Sequence, residues 1–293
     1  MSRLQRERAV RGPAGPVRVG DPGEVADVVD AYPLTPVQEA MLLHGRREPG
    51  LYVQQYVCTL REPLCLPAFR VPWERLAAPH PLLRTSFLLD AAPGPLQRVH
   101  PRVELPWREH DCRGLAAEAR DRAMREFLRE DRSAAFRPED APLARFALFR
   151  LEEEVFRLVW TSHHALLDGR ARRLLLEEVF DDYEARVEGR EPAPARRESF
   201  GDYVRWLGRS ASPDTQAFWE EELRGFEPPG ELAVEGNGGG APRREEHRLE
   251  LSAELSAALR RVAEGGGITL NTVLQGAWAL LLGRYTGSDD VVF

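Results

Sequence analysis

The residues most able to do chemistry lie in one stretch, Thr161-Ser162-His163-His164-Ala165-Leu166-Leu167-Asp168-Gly169. Two adjacent histidines are followed at close range by an Asp-Gly pair. Imidazole is the side chain best suited to moving a proton near neutral pH. Asp168 is placed to fix a loop or to pair with an arginine, and Gly169 to supply a backbone angle that other residues resist. Such a group at the end of a strand points to acyl transfer with His164 as the working base. The residues alone also allow a plainer reading, two histidines that cap a strand.

The element that must carry this motif is the run just before it. Val155-Phe156-Arg157-Leu158-Val159-Trp160 is apolar and β-branched enough for a buried strand. It forms a predicted hairpin with residues 143–151, turning through Glu152-Glu153-Glu154. A helix over 172–187 follows the motif, with Leu175, Leu176, Val179, Phe180 and Tyr183 on its buried side. Upstream, Thr35-Pro36-Val37-Gln38 gives a helix start in which Thr35 is the N-cap, Pro36 the first helical residue and Gln38 the completion of a capping box. Strands are expected over 52–60 and 85–89, and helices over 68–76 and 115–128. After the Pro-rich break Glu191-Pro192-Ala193-Pro194-Ala195, helices are expected over 200–207 and 215–223 and a Gly-rich loop over 235–240. A short strand over 247–251, helices over 252–264 and 269–285, and a strand beginning at Asp290 complete the pattern. Mixed strands and helices without an internal repeat give an α+β reading. The divisions are a flexible leader over 1–24, a first lobe over 25–190 and a second lobe over 191–293.

Composition narrows the chemistry. The chain has 293 residues, 43% of them hydrophobic, which is enough to bury a substantial core. All 40 basic residues are arginine, so lysine Schiff-base and P-loop chemistry are excluded. The net charge of -7 argues against a nucleic-acid partner. Cys58, Cys65 and Cys112 have no zinc or redox spacing and read as reduced structural thiols. His44, His80, His100, His110 and His247 match no metal-ligand pattern, so no metal is expected. The N-terminus lacks a signal-peptide core and no run spans a bilayer, so no membrane partner and a cytoplasmic location are expected.

The sequence resembles the condensation domains of nonribosomal peptide synthetases. Tyr32-Pro33-Leu34-Thr35-Pro36-Val37-Gln38-Glu39-Ala40-Met41 is similar to the family's opening motif, and His80-Pro81-Leu82-Leu83-Arg84-Thr85-Ser86-Phe87 to its second. His163 to Gly169 resembles the catalytic HHxxxDG motif, Asp202-Tyr203-Val204-Arg205-Trp206 the fourth, and the stretch from Leu270 to Phe293 the helix and strand opening that follow. Two local departures are Pro79, where the family usually has arginine, and Arg170, where many members carry Trp.

The resemblance implies a chloramphenicol-acetyltransferase-like α/β two-layer sandwich lobe, with the second, similar lobe only partly present and the domain truncated at its C-terminal side. It implies amide formation between a donor acyl thioester and an acceptor aminoacyl thioester. Donor and acceptor peptidyl carrier domains would supply both on phosphopantetheine arms, so no cofactor is bound directly. An adenylation domain would follow downstream. His164 is then general base or amine-positioning group, His163 is structural, Asp168 shapes the loop through an ion pair with Arg84, and Gly169 offers a backbone N–H to the reacting carbonyl. An ester-forming relative would use the same His164. A fragment lacking part of the second lobe would be inactive alone, or serve only to bind carriers.

Overall fold

The first paired segment, Asp30–Pro33 (β1), leads into Pro36–Arg47 (α1), whose start follows its sequence. The Thr35 side chain accepts from the Gln38 backbone N–H, and the Gln38 side chain accepts from the Thr35 N–H. This is the expected capping box, with Pro36 in the first turn. Next come β2 (Val53–Arg61), α2 (Leu66–Arg75), a 3-10 turn (Pro81–Arg84), β3 (Thr85–Leu88), β4 (Leu96–Val99) and β5 (Trp107–Asp111). They are followed by α3 (Ala117–Ser133), β6 (Ala144–Glu152), β7 (Val155–His163), α4 (Gly169–Val187), α5 (Phe200–Ser210), α6 (Pro213–Glu222), α7 (Ala253–Gly266) and α8 (Leu270–Thr286). The structure is a computed structural model that describes residues 28–48, 50–193, 199–210, 213–227 and 248–293. The expected leader and the Gly-rich loop lie outside the described residues.

Two sheets form. One is three-stranded and antiparallel in the order β1-β4-β3; the other is four-stranded in the order β2-β7-β6-β5, with only β5 and β6 parallel. The predicted hairpin is β6-β7, and β2 pairs along all nine residues of β7, from Arg61 opposite Val155 to Val53 opposite His163. Side-chain alternation then sorts the residues of β7 between two faces. Phe156, Leu158 and Trp160 join Leu60, Phe146 and Leu148 beneath α2 and α4, where Phe69, Trp73, Leu175 and Val179 complete the main core. Val159 on the other face joins Cys112, Met124, Ala147 and Phe149 beneath α3. The motif therefore issues from a strand held on both edges and buried on both faces.

Helix α5 packs on β1. A Cβ on Gly201 would meet the Tyr32 ring at 2.8 Å, so only glycine permits this approach. Arg205 reaches Asp30 at 2.5 Å across the contact. Burial, reinforced by Asp30, pushes the Tyr32 hydroxyl pKa up to about 12. The described residues up to 210 accordingly form one compact unit, and those from 213 onward a second. The expected lobe division at residue 191 lies one helix earlier.

In the second unit, Ser252 caps α7 and Thr269 caps α8, as their types predict. Its apolar side chains are largely exposed, including Leu274, Trp278 and Leu281 of α8. Two expected strands do not form. Residues 248–251 carry no strand, while His247 lies outside the described residues. Residues 290–293 have no strand partner among the described residues, and a strand without a partner leaves its backbone groups unpaired.

Candidate active site

Both edges of β7 extend past its end to hold the two histidines. The His163 N–H donates to the Leu143 carbonyl at 3.0 Å on the β6 side, and the His164 N–H donates to the Tyr52 carbonyl at 2.8 Å on the β2 side. His163 is only 6% exposed. Its Nδ1 accepts from the Ala165 N–H at 3.1 Å, which places its ring proton on Nε2. Burial, followed by the neighbouring His164, lowers its pKa to about 4. His163 is thus held as a neutral ring inside the turn.

His164 has the opposite arrangement. It is half-buried, and its Nδ1 lies 2.9 Å from the Leu167 carbonyl oxygen. A carbonyl only accepts, so Nδ1 carries a proton, and in the neutral imidazole Nε2 keeps its lone pair. No described residue occupies that Nε2, which leaves it able to take a proton or a hydrogen bond from a substrate.

Asp168 and Arg84 are not brought together. The exposed Asp168 is the N-cap of α4, its Oδ1 accepting from the Ala171 N–H at 2.7 Å. Arg84 instead donates to the carbonyls of Ala77 at 2.9 Å, Pro101 at 3.3 Å and His100. It ties the 3-10 turn to the segment after β4. The expected ion pair is corrected to two separate structural roles: each side chain is spent on backbone groups near its own element.

Gly169 also differs from its expectation. It is the first residue of α4 and is not in the left-handed region. A Cβ there would meet nothing within 4 Å, so the chain itself imposes no demand for glycine. Its N–H has no acceptor among the described residues, as is usual for the first turn of a helix. It remains a donor available at the mouth of the motif.

Sequence reasoning missed two further contributors. Gln38, assigned only to the cap of α1, also donates from Nε2 to the Ala165 carbonyl at 3.0 Å. The clue was arithmetic: a capping box uses the amide oxygen and leaves the NH2 of a buried side chain to be satisfied. Arg172 of α4 donates to Gln54 Oε1 at 2.6 Å, with its guanidinium 5.9 Å from the Trp160 ring centroid. Burial lowers its pKa, against the opposing pull of Tyr56 and Asp168.

The other face of β7 is fixed by an ionic network. Asp131 is 8% exposed and accepts from Arg145 Nε at 2.6 Å, Thr161 Oγ1 at 2.5 Å and Gln55 Nε2 at 2.9 Å. Burial alone would raise its pKa, but Arg145 and the other donors hold it below the usual carboxylate range.

A sequence profile described as "Condensation domain" matches residues 28–293. A component of the linear gramicidin synthase of Brevibacillus parabrevis is 38% identical over 92% of this chain, and chondramide synthase cmdD of Chondromyces crocatus is 39% identical over 83%. The matched stretch covers 4% and 6% of those proteins, so the chain spans a small part of their length. Among solved structures, the first condensation domain of the calcium-dependent antibiotic synthetase, in complex with a substrate analogue, superposes with a TM-score of 0.73 at 22% identity. That match covers 90% of this chain and 64% of the solved one. The starter condensation domain of the rhizomide synthetase RzmA gives a TM-score of 0.61 at 20% identity, over 68% of this chain and 49% of that one. These structural likenesses concern the fold.

Proposed function

The chain belongs to the condensation-domain family of nonribosomal peptide synthetases, whose function is peptide-bond formation, and we propose that it supplies the acyl-transfer centre of such a domain. The observation that carries this is the Nε2 of His164, which has no partner among the described residues and is oriented by the Nδ1 bond to Leu167. The acceptor amine attacks the donor thioester carbonyl, forming the C–N bond. His164 Nε2 accepts the amine proton or positions the amine through a hydrogen bond. The tetrahedral intermediate carries an oxyanion, which the Gly169 N–H at the start of α4 is available to receive. The C–S bond then breaks, and the proton returns to the departing thiolate. Space at Gly169, where no described residue beyond its own neighbours and helix backbone lies within 4 Å of a Cβ position, supports close approach of the thioester there.

Both substrates arrive on the phosphopantetheine arms of donor and acceptor carrier domains, and an adenylation domain follows downstream in the parent enzyme. The chain itself holds no cofactor or metal in this reading. No helix among the described residues is long and apolar enough to cross a membrane. Because the match covers 64% of the solved condensation domain, the reaction is assigned to a domain in which this stretch joins the remainder of the fold. The 293-residue chain alone is expected to show little or no turnover.

The test supplies donor- and acceptor-loaded carriers to both forms and follows the product on the acceptor carrier. Product is expected from the complete domain and not from the chain alone. Absence of product from the complete domain overturns the assignment, and rapid condensation by the chain alone overturns the requirement for the remainder.

A further inference from the structure

We propose that Gln38 is a positioning residue for His164, acting through the Ala165 carbonyl, and that Gln97 holds Gln38 in place. The proposal rests on the reading of His164 as the reacting group. Gln38 is 7% exposed and Gln97 is 1% exposed. The orientation of the Gln38 amide is set by its partners. Its Oε1 faces the Thr35 N–H at 3.0 Å and Gln97 Nε2 at 3.1 Å, both donors, so Nε2 is the atom 3.0 Å from the Ala165 oxygen. Gln97, on β4, also donates to the Pro33 carbonyl at 3.0 Å.

A buried relay of two amides thus runs from the three-stranded sheet to the residue after His164. Ala165 is gripped at both backbone groups: its N–H by His163 Nδ1 and its carbonyl by Gln38. Ala165, the residue after His164 in the turn, is therefore tied down, and Leu167 accepts the Nδ1 bond of the His164 imidazole. Leu34, Leu42, Phe87 and Leu143 pack with Ala165 in one apolar cluster, so little water is available to replace a lost donor. Without the Gln38 donor, the buried carbonyl gains a reason to rotate the turn. A misplacement of about 1 Å at a reacting group can cost about 100-fold in rate.

Gln38→Glu separates the two jobs of the side chain. An ionised glutamate still accepts from Thr35 but cannot donate to Ala165, while a protonated one can. Thr35→Ala is the capping control: it removes the hydroxyl that accepts from the Gln38 backbone N–H and leaves the Thr35 N–H and the Gln38 donor in place. The first readout is backbone amide exchange in the 293-residue chain, compared at Ala165 and Leu166 against the amides within β7. Gln38→Glu at neutral pH is expected to speed exchange at Ala165 and Leu166 at least ~10-fold beyond any change in β7, with protection returning as the pH is lowered and the carboxyl protonates. Thr35→Ala is expected to leave that difference unchanged. In the complete domain, Gln38→Glu is expected to lower kcat by about 10- to 100-fold with KM within about twofold.

Uniform acceleration of exchange across the unit, or no acceleration at Ala165 and Leu166, overturns the proposal. So does an unchanged kcat in a domain whose parent form condenses its substrates. A parent domain that forms no product contradicts the condensation reading instead, and the exchange experiment still decides the role of Gln38.

Discussion

His164 Nδ1 lies 2.9 Å from the Leu167 carbonyl oxygen, whereas Nδ1 of the adjacent His163 accepts the Ala165 N–H at 3.1 Å. Two neighbouring imidazoles are therefore held in opposite tautomers by their own turn. Long-range nitrogen–proton NMR on histidine-labelled protein is expected to show His164 protonated at Nδ1 and His163 at Nε2. Both rings in the same tautomer would contradict this geometry.

Burial lowers the His163 pKa to about 4 from the ordinary 6.5, which makes stability depend on pH. Between these values the unfolded chain takes up a proton at this residue and the native chain does not. Stability is therefore fully present above 6.5 and falls as the pH drops towards 4, by about 3 kcal/mol at most. Urea unfolding at pH 7 and pH 4.5 is expected to show a smaller loss in His163→Gln than in the parent chain. Equal losses would show that His163 does not titrate in this way.

Asp131 anchors α3 to β6, β7 and β2 through Arg145, Thr161 and Gln55. Removing one partner of a buried pair strands the other charge, so Asp131→Ala is expected to cost about 3–5 kcal/mol. The double variant Asp131→Leu, Arg145→Met should lose less, because no charge is left unpaired. Chemical denaturation measures both, and a milder single than double variant would contradict the network's role.

Asp168 caps α4 without touching Arg84. Asp168→Ser is expected to keep most of the stability and Asp168→Ala to lose about 1 kcal/mol. A double-mutant cycle with Arg84→Ala should give a coupling below about 0.5 kcal/mol. A larger coupling would restore the ion pair expected from sequence.

The catalytic strand was legible because its residues carry a strong period and apolar content. Trp160, Leu158 and Phe156 face one way into a core that α2 and α4 complete. The start of α1 was equally legible, because Thr35, Pro36 and Gln38 are local signals within four residues. Three strands were not. β1 is Asp-Ala-Tyr-Pro and β5 is Trp-Arg-Glu-His-Asp, short and without apolar alternation, and β4 is four residues long; all three are strands only by virtue of their sheet neighbours. At the site, the motif marked His164, but the partners of Asp168 and Arg84 depended on which carbonyls and N–H groups the fold placed nearby. The bond from Gln38 to Ala165 spans 127 residues, and no local pattern encodes it.

The measurement that bears most directly on the central claim is single-turnover condensation by the complete domain with His164→Ala. Donor- and acceptor-loaded carriers are mixed, and the product on the acceptor carrier is followed. Loss of the imidazole is expected to slow product formation by about 10²- to 10⁴-fold while the fold, read by far-UV circular dichroism, is retained. Product formation at the parent rate would remove His164 from the reaction and contradict the account.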